Sequence, residues 1–422
     1  MKTRPLAATL LLSVALPAGA QQPSPDPDNG AITLPPGFRA SVFADNLGRL
    51  RFLTVAPNGD VYVKTSTGSG ILALRDDDKD GRAETKAVIG TSTGTGIEYR
   101  DGWLYHSTNS AVLRYKMTPG ELVPSGPPET VVTGLPDERQ HNSKSFAFDD
   151  QGRIYVEVGS PSNATAGGPN DRQAGAKGAD PTEFFKTHGG FWRFDANTLD
   201  QTLSDGHRFA TGLRHVLPVT WNKVSKKLFV IQHGRDVLNV VDPAHYTVDD
   251  NEELPAEEFH VLKEGGSFGW PFTYYDPLKK ARMLMPEFGG DKQKRAEAGK
   301  YPDPLIAFPA HWAPMQMAFY NGTQFPAKYR GGAFQAFHGS WNRAPKPQKG
   351  YNVVFIPFDA KGMPKGTYEV FADGFKGEAE ITNPNDARFR PNGVGVHPDG
   401  SLIVSDSQKG RVWKIFYVGD KK

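Results

Sequence analysis

Several short segments concentrate residue types that can move protons, hold anions or bind a metal. His141 lies in the polar stretch ERQHNSKS, just ahead of an apolar run. Its imidazole titrates near neutrality and can act as a general base, or it can be an ordinary surface histidine. Gly212-Leu213-Arg214-His215 precedes one apolar run and His233-Gly234-Arg235-Asp236 follows the next. Arginines and histidines on successive loops can converge on an anionic ligand, because guanidinium forks match carboxylates; scattered surface charge is the plain alternative. His311-Trp312 and His338-Gly339-Ser340-Trp341-Asn342-Arg343 form an aromatic and basic patch of the kind that stacks on a planar cofactor or a sugar. Asp76-Asp77-Asp78-Lys79-Asp80-Gly81 matches D-x-D-x-D-G, in which alternate carboxylates face one calcium ion. The twelfth position of such a loop is Ala87 rather than glutamate, so a solvated acidic turn is an equal reading.

The elements that must position these residues are β-strands. A phrase of apolar strand, tight turn and second β-rich strand recurs six times: Leu53–Lys64, Ile97–Ser107, Phe146–Gly159, Val219–Gly234, Met317–Gly339 and Val394–Ser407. Third strands follow at Ile71–Arg75, Val112–Lys116, Gly190–Asp195, Tyr351–Phe358 and Arg411–Phe416. Alternation interrupted by Asn-Gly, Asp-Gly or Gln-Gly is a strong hairpin signal, and helical periodicity is scarce. Antiparallel units at blade-length intervals predict an all-β fold, a six-bladed β-propeller; a twisted sandwich array is the alternative. The long insertions 160–190, 242–268 and 272–316 are then loops on the faces where propellers bind ligands.

Composition narrows the function. With no cysteine among 422 residues, disulfides, zinc thiolates, iron–sulfur clusters and covalent c-type haem are excluded. A formal charge of +2 argues against nucleic acid as a partner. No P-loop, H-E-x-x-H or dinucleotide fingerprint is present. Residues 1–20, MKTRPLAATLLLSVALPAGA, read as a secretory signal peptide with a basic start, a short apolar run and an Ala-Gly-Ala cleavage site. Its removal takes Lys2 and Arg4, bringing the formal charge from +2 to zero. Residues 21–31 read as a flexible polar linker and 32–422 as one propeller domain. The expected product is exported, periplasmic in a diderm bacterium, with no stable membrane anchor.

Taken together, the motifs resemble the glucose/sorbosone dehydrogenase family, secreted six-bladed propellers that use pyrroloquinoline quinone (PQQ). The resemblance runs from LPPGF at Leu34 to the last repeat. It is carried by HNSKSFAFDDQGRIYVEVGSPSNA (141–164), FATGLRH (209–215), VIQHGRD (230–236), FGWPFTYYDP (268–277), FPAHWAPMQMAFY (308–320), FHGSWNRAPKPQKGY (337–351) and RFRPNGVGVHPDGSLIVSD (388–406), and is nearest the sorbosone branch. It implies His141 as the base that takes a sugar hydroxyl proton during hydride transfer to PQQ. It implies Arg214 at a cofactor carboxylate and a calcium ion held partly by the carbonyls of Gly234 and Arg235. It further implies Arg388 and Arg390 as a basic pair at the site, and His338, Trp341 and Arg343 in the same pocket. His215 stands where asparagine is usual, and Ser160 where the glucose-oxidising branch has aspartate. His215 and His311 join the expected cofactor contacts; Asp76, Asp78 and Asp80 are the second candidate metal set. The reading is a dehydrogenase acting on a small sugar and passing electrons to a separate acceptor, a cytochrome or the quinone pool. The alternatives are a calcium-dependent lactonase and a non-catalytic sugar-binding propeller.

Overall fold

The computed structural model describes residues 23–68, 70–164 and 171–419. The expected signal peptide lies outside the described residues. Six small sheets, antiparallel except where Gly266-Ser267 runs parallel to Ala210-Thr211, form a six-bladed β-propeller, and each repeat supplies the first two strands of one blade. The innermost strands are Leu50–Val55, Ile97–Arg100, Phe146–Phe148, Val216–Asn222, Pro314–Phe319 and Pro391–Val396. Second strands such as Val61–Thr65 and Ala333–Phe337 are buried at every position, because both sheet faces are covered by neighbouring blades. At Asp101-Gly102 both residues have positive φ (51° and 76°), the type I′ geometry whose twist matches the flanking strands.

Closure came from a strand that the repeats did not reveal. Phe38–Ala44, near the N-terminus, pairs antiparallel with Val412–Tyr417 and completes the last blade. Nor does the expected linker behave as one from Ser24 onward. Ser24 N–H donates to the Asp80 carbonyl (3.0 Å), Asp26 pairs with Arg82 (2.9 Å), and the Gly30 carbonyl accepts Trp413 Nε1–H (3.0 Å). These bonds fasten the segment across the closure seam despite its proline-rich composition. Among the described residues no helix is long and apolar enough to cross a membrane.

Four innermost strands share one irregularity, a register shift between Leu50 and Leu53, Val216 and Val219, Pro314 and Met317, and Pro391 and Val394. Such bulges re-aim side chains, here at the end of the channel where Arg51 and Leu217 face a cavity. Further along, Gln316 crosses between blades. Its amide bonds both the N–H (2.9 Å) and the carbonyl (2.8 Å) of Leu53, and accepts Val394 N–H (3.1 Å). The channel thus has two mouths. One, of about 690 Å³, is lined by Phe52, Tyr99, Phe148, Trp221 and Phe319 and has no histidine. The other, of about 470 Å³, gathers the histidines and arginines.

Candidate active site

His141, Arg214, His215, Gly234, His311, His338, Trp341 and Arg390 all line this 470 Å³ cavity, although they are spread over 250 positions from 141 to 390. Each sits at the end of a strand or in the loop beyond it, so blade closure alone brings them together. The His141 and His215 rings stack at 4.5 Å, and His215 lies 4.9 Å from His233.

Local bonds fix the orientation of each ring. His141 Nδ1–H donates to the Ser160 carbonyl (2.5 Å), which leaves Nε2 as the proton-accepting nitrogen. Ser160 is itself pinned by its N–H to the Arg214 carbonyl (2.8 Å), while its hydroxyl turns to the Ser162 carbonyl rather than into the cavity. Behind His215, Glu157 Oε1 accepts from Nδ1 (3.2 Å) and from Val216 N–H (3.1 Å). Burial pushes the Glu157 carboxyl up, with Lys144 opposing. Burial, reinforced by Arg214 and His215, holds His141 well below the usual histidine range, and His215, His233 and His338 are depressed likewise. His141, Lys144, Val237, His311 and Ala313 all adopt positive φ, between 46° and 61°. Such conformations cost about 1–3 kcal/mol each and gather at functional sites.

Arginines surround the rings. Arg214 donates to the Gly234 carbonyl (2.9 Å) and to Asp236 (2.6 Å), but its buried Nε has no partner among the described residues. Although burial raises Asp236, Arg214 and Arg172 hold it below the ordinary carboxylate range. Arg390 is aimed by the carbonyls of His338 (2.8 Å) and Gly339 (2.7 Å), and Arg51 by Thr95 (3.0 Å). Burial, then Arg390, pushes the Arg51 guanidinium down to about 10. Glu257 completes the floor, accepting Gly234 N–H (2.7 Å) and Ala313 N–H (3.0 Å), and burial pushes it up to about 7.

Several expected contacts are corrected. Arg343 does not line the cavity; it is buried against the Glu252 carboxylate and carbonyl and ties down the loop that carries Trp341. Arg388 is exposed and lies over Phe389, while two positions on the Arg390 guanidinium is turned to the His338 and Gly339 carbonyls. Arg235, expected to offer its carbonyl to a calcium ion, is absent from the lining, where Gly234 and Asp236 stand; its side chain makes a fully buried pair with Glu287 (2.6 Å). His311 is a cavity residue whose Nε2–H is committed to the carbonyls of Asn251 (2.7 Å) and Leu254 (3.0 Å). Asp76, Asp78 and Asp80 are absent from the lining and form a separate cluster. Sequence reasoning missed Arg51 and Glu257, which stand in no motif, and noted His233 and Asp236 without assigning them to the site.

The fold and cavity define a six-bladed propeller with a pocket on its axis walled by three arginines and five histidines. The chain belongs to the TrAA12-like family, whose model matches residues 32–417. An uncharacterised protein of Borreliella burgdorferi is 22% identical over 398 residues, covering 92% of this chain and 91% of that one. The pyrroloquinoline quinone-dependent pyranose dehydrogenase of Coprinopsis cinerea is 30% identical over 243 residues, 50% of this chain but only 31% of the relative. Among solved structures, the calcium structure of the Trichoderma reesei family AA12 protein superposes with a TM-score of 0.73 at 18% identity, covering 94% and 99% of the two chains. The holo PQQ domain of the Coprinopsis cinerea pyranose dehydrogenase gives 0.70 at 20% identity, covering 94% and 98%. These structural likenesses establish the fold, and the family match agrees with the resemblance read from the motifs.

Proposed function

We propose that this protein is a PQQ-dependent dehydrogenase that oxidises an aldose or a related hydroxy-carbonyl sugar of the sorbosone type. The observation that carries the reading is the pocket's imbalance. Three arginines line it against two carboxylates, Asp236 and Glu257, the latter pushed up by burial to about 7, and five histidines add ring nitrogens rather than negative charge. A planar tricarboxylate needs such a surround, and the unpartnered Arg214 Nε offers it a buried donor. The same imbalance disfavours a lactonase, whose metal needs several converging carboxylates. For calcium, the hard oxygen donors at hand are the Gly234 carbonyl, Asp236 and Glu257. When bound, PQQ would accept the hydride and calcium would polarise the quinone as a Lewis acid.

The chain's own residues do the rest. Arg51, Arg214 and Arg390 bind and orient the anion. His141 Nε2 takes the sugar hydroxyl proton, and the stacked His215 and the Ser160 carbonyl hold its ring still. Because its surroundings disfavour imidazolium, His141 is neutral before turnover and readily releases the proton afterwards. Trp341, 54% exposed at the rim, is placed to stack on a sugar ring. Lacking cysteine, the chain cannot carry its own c-type haem, so a cytochrome or the quinone pool would take the electrons. Residues 1–20 favour export, to the periplasm of a diderm cell.

The test is reconstitution of the purified protein with PQQ and calcium, followed by absorption and dye reduction over a panel of sugars. Saturable cofactor binding with sugar-dependent reduction is expected. Failure to bind PQQ overturns the proposal, and PQQ-independent sugar binding identifies a non-catalytic module.

A further inference from the structure

A second cluster of hard oxygen ligands lies away from the cavity, in the loop joining Ile71–Arg75 to Thr85–Ile89 in the first blade. Asp76, Asp78, Asp80 and Glu84 each present a carboxylate oxygen there, all four within 4.8 Å of one another. Asp76 is decisive. Its side chain is only 6% exposed; Oδ2 accepts Gly81 N–H (3.0 Å), while Oδ1 is buried with no hydrogen-bond partner among the described residues. A carboxylate oxygen in that state lacks a donor or a cation. The nearby ammonium does not supply it. Lys414 Nζ is 3.0 Å from Asp399 but 3.6 Å from Asp76, and on the Oδ2 side. Arg82 points away, to Asp26 (2.9 Å) and the Val42 carbonyl (3.1 Å).

We propose that Asp76, Asp78, Asp80 and Glu84 bind a calcium ion that clamps the closure seam of the propeller. The four occupy positions one, three, five and nine of a calcium loop, with the Arg82 carbonyl at position seven. Ala87 at position twelve removes the usual bidentate ligand, which sets the affinity in the weak range, about 10⁻⁴ to 10⁻³ M, common in extracellular modules. The loop's other side is fastened to the strand that closes the ring. The Gly81 carbonyl accepts Ser41 Oγ–H (2.8 Å), Ala83 N–H donates to the Phe43 carbonyl (2.7 Å), and Lys414 sits on the partner strand Val412–Tyr417. An ion that rigidifies the loop therefore rigidifies the junction between first and last blades.

The cofactor-free full chain, stripped with chelator, is titrated with calcium chloride by calorimetry and melted with and without 10 mM calcium. The expected result is a Kd of about 0.1–1 mM and a melting rise of roughly 2–4 °C. Asp78→Asn combined with Glu84→Gln should remove one calcium equivalent of this affinity and the melting rise while leaving PQQ binding and any calcium of the central cavity intact; both side chains are exposed, so the variant folds. Glu257→Gln, in the central cavity, should retain both. A double variant that binds and melts like wild type, a wild-type chain that takes up no calcium, or an effect lost only in Glu257→Gln overturns the proposal.

Discussion

Replacing Gly159 by alanine tests the role of His141 without removing an ionisable group. A Cβ at Gly159 would stand 2.5 Å from the His141 carbonyl oxygen and 2.8 Å from both His141 Cβ and Glu157 Oε1. Ordinary contact begins at 3.4 Å, so the His141 backbone must retreat by about 0.9 Å. It cannot do so freely, since the Ser160 carbonyl holds the ring and His215 is stacked on it. A displacement of about 1 Å in a reacting group costs on the order of 100-fold in rate. Overpacking of this kind also costs about 1–3 kcal/mol of stability. Steady-state dye reduction with the reconstituted enzyme should show kcat down about 100-fold, PQQ affinity changed less than threefold, and a lower melting temperature. Gly126→Ala, where a Cβ meets nothing within 4 Å, is the control and should behave as wild type. A Gly159→Ala enzyme with kcat within threefold of wild type would refute the placement of His141 as base.

Other expectations follow from the same geometry. His141→Asn should lower kcat by about 10²–10⁴ while PQQ still binds, which an absorbance titration checks. Arg214→Met removes a charge-assisted donor worth about 1.5–3 kcal/mol, so PQQ affinity should fall roughly ten- to a hundredfold in the same titration. His141, His215, His233 and His338 are held well below 6.5 in the folded state, so the unfolded chain binds more protons just below that pH. The contribution of these rings is fully present above pH 6.5 and is lost as pH falls through it, by up to about 1.4 kcal/mol per pH unit per group, while Glu157 and Glu257, pushed up by burial, work in the opposite sense. A gap in denaturant midpoint between wild type and His233→Asn that is the same at pH 7.5 and 5.5 would contradict a neutral buried ring at His233. Trp341→Ala, at an exposed rim position, should raise KM for sugar several-fold with kcat and melting temperature unchanged; kinetics over a sugar panel decides it.

The repeats were legible because blade strands announce themselves locally. Buried alternation and Asp-Gly-type turns are short-range properties, so the first two strands of all six blades were readable, as were five third strands. The outermost strands were not: Thr85–Ile89 is largely exposed and Glu129–Val132 is half-buried in its first two positions, which blurs the apolar pattern. Phe38–Ala44 was not read as a blade strand, because nothing local says that it will pair with a strand some 370 residues away. His141, Arg214 and Gly234 were found because they stand in motifs. Arg51 escaped, since an arginine in LRFLTV differs from a surface arginine only through a bulge that turns it inward. Arg343 and Arg388 failed for the converse reason: spacing placed them beside true site residues, while their own side chains found other partners.

By itself, the sequence determined the strand content, the blade count, the lack of any thiol chemistry and the segments from which the site would be built. These depend on composition, periodicity and turn residues, all of which act over a few positions. Tertiary structure alone decided which side chains share the 470 Å³ pocket, which carboxylates pair with Arg214 and Arg235, and which histidines lose their charge. Those outcomes depend on desolvation and on contacts between residues tens to hundreds of positions apart, and they come into being only when the ring of blades closes.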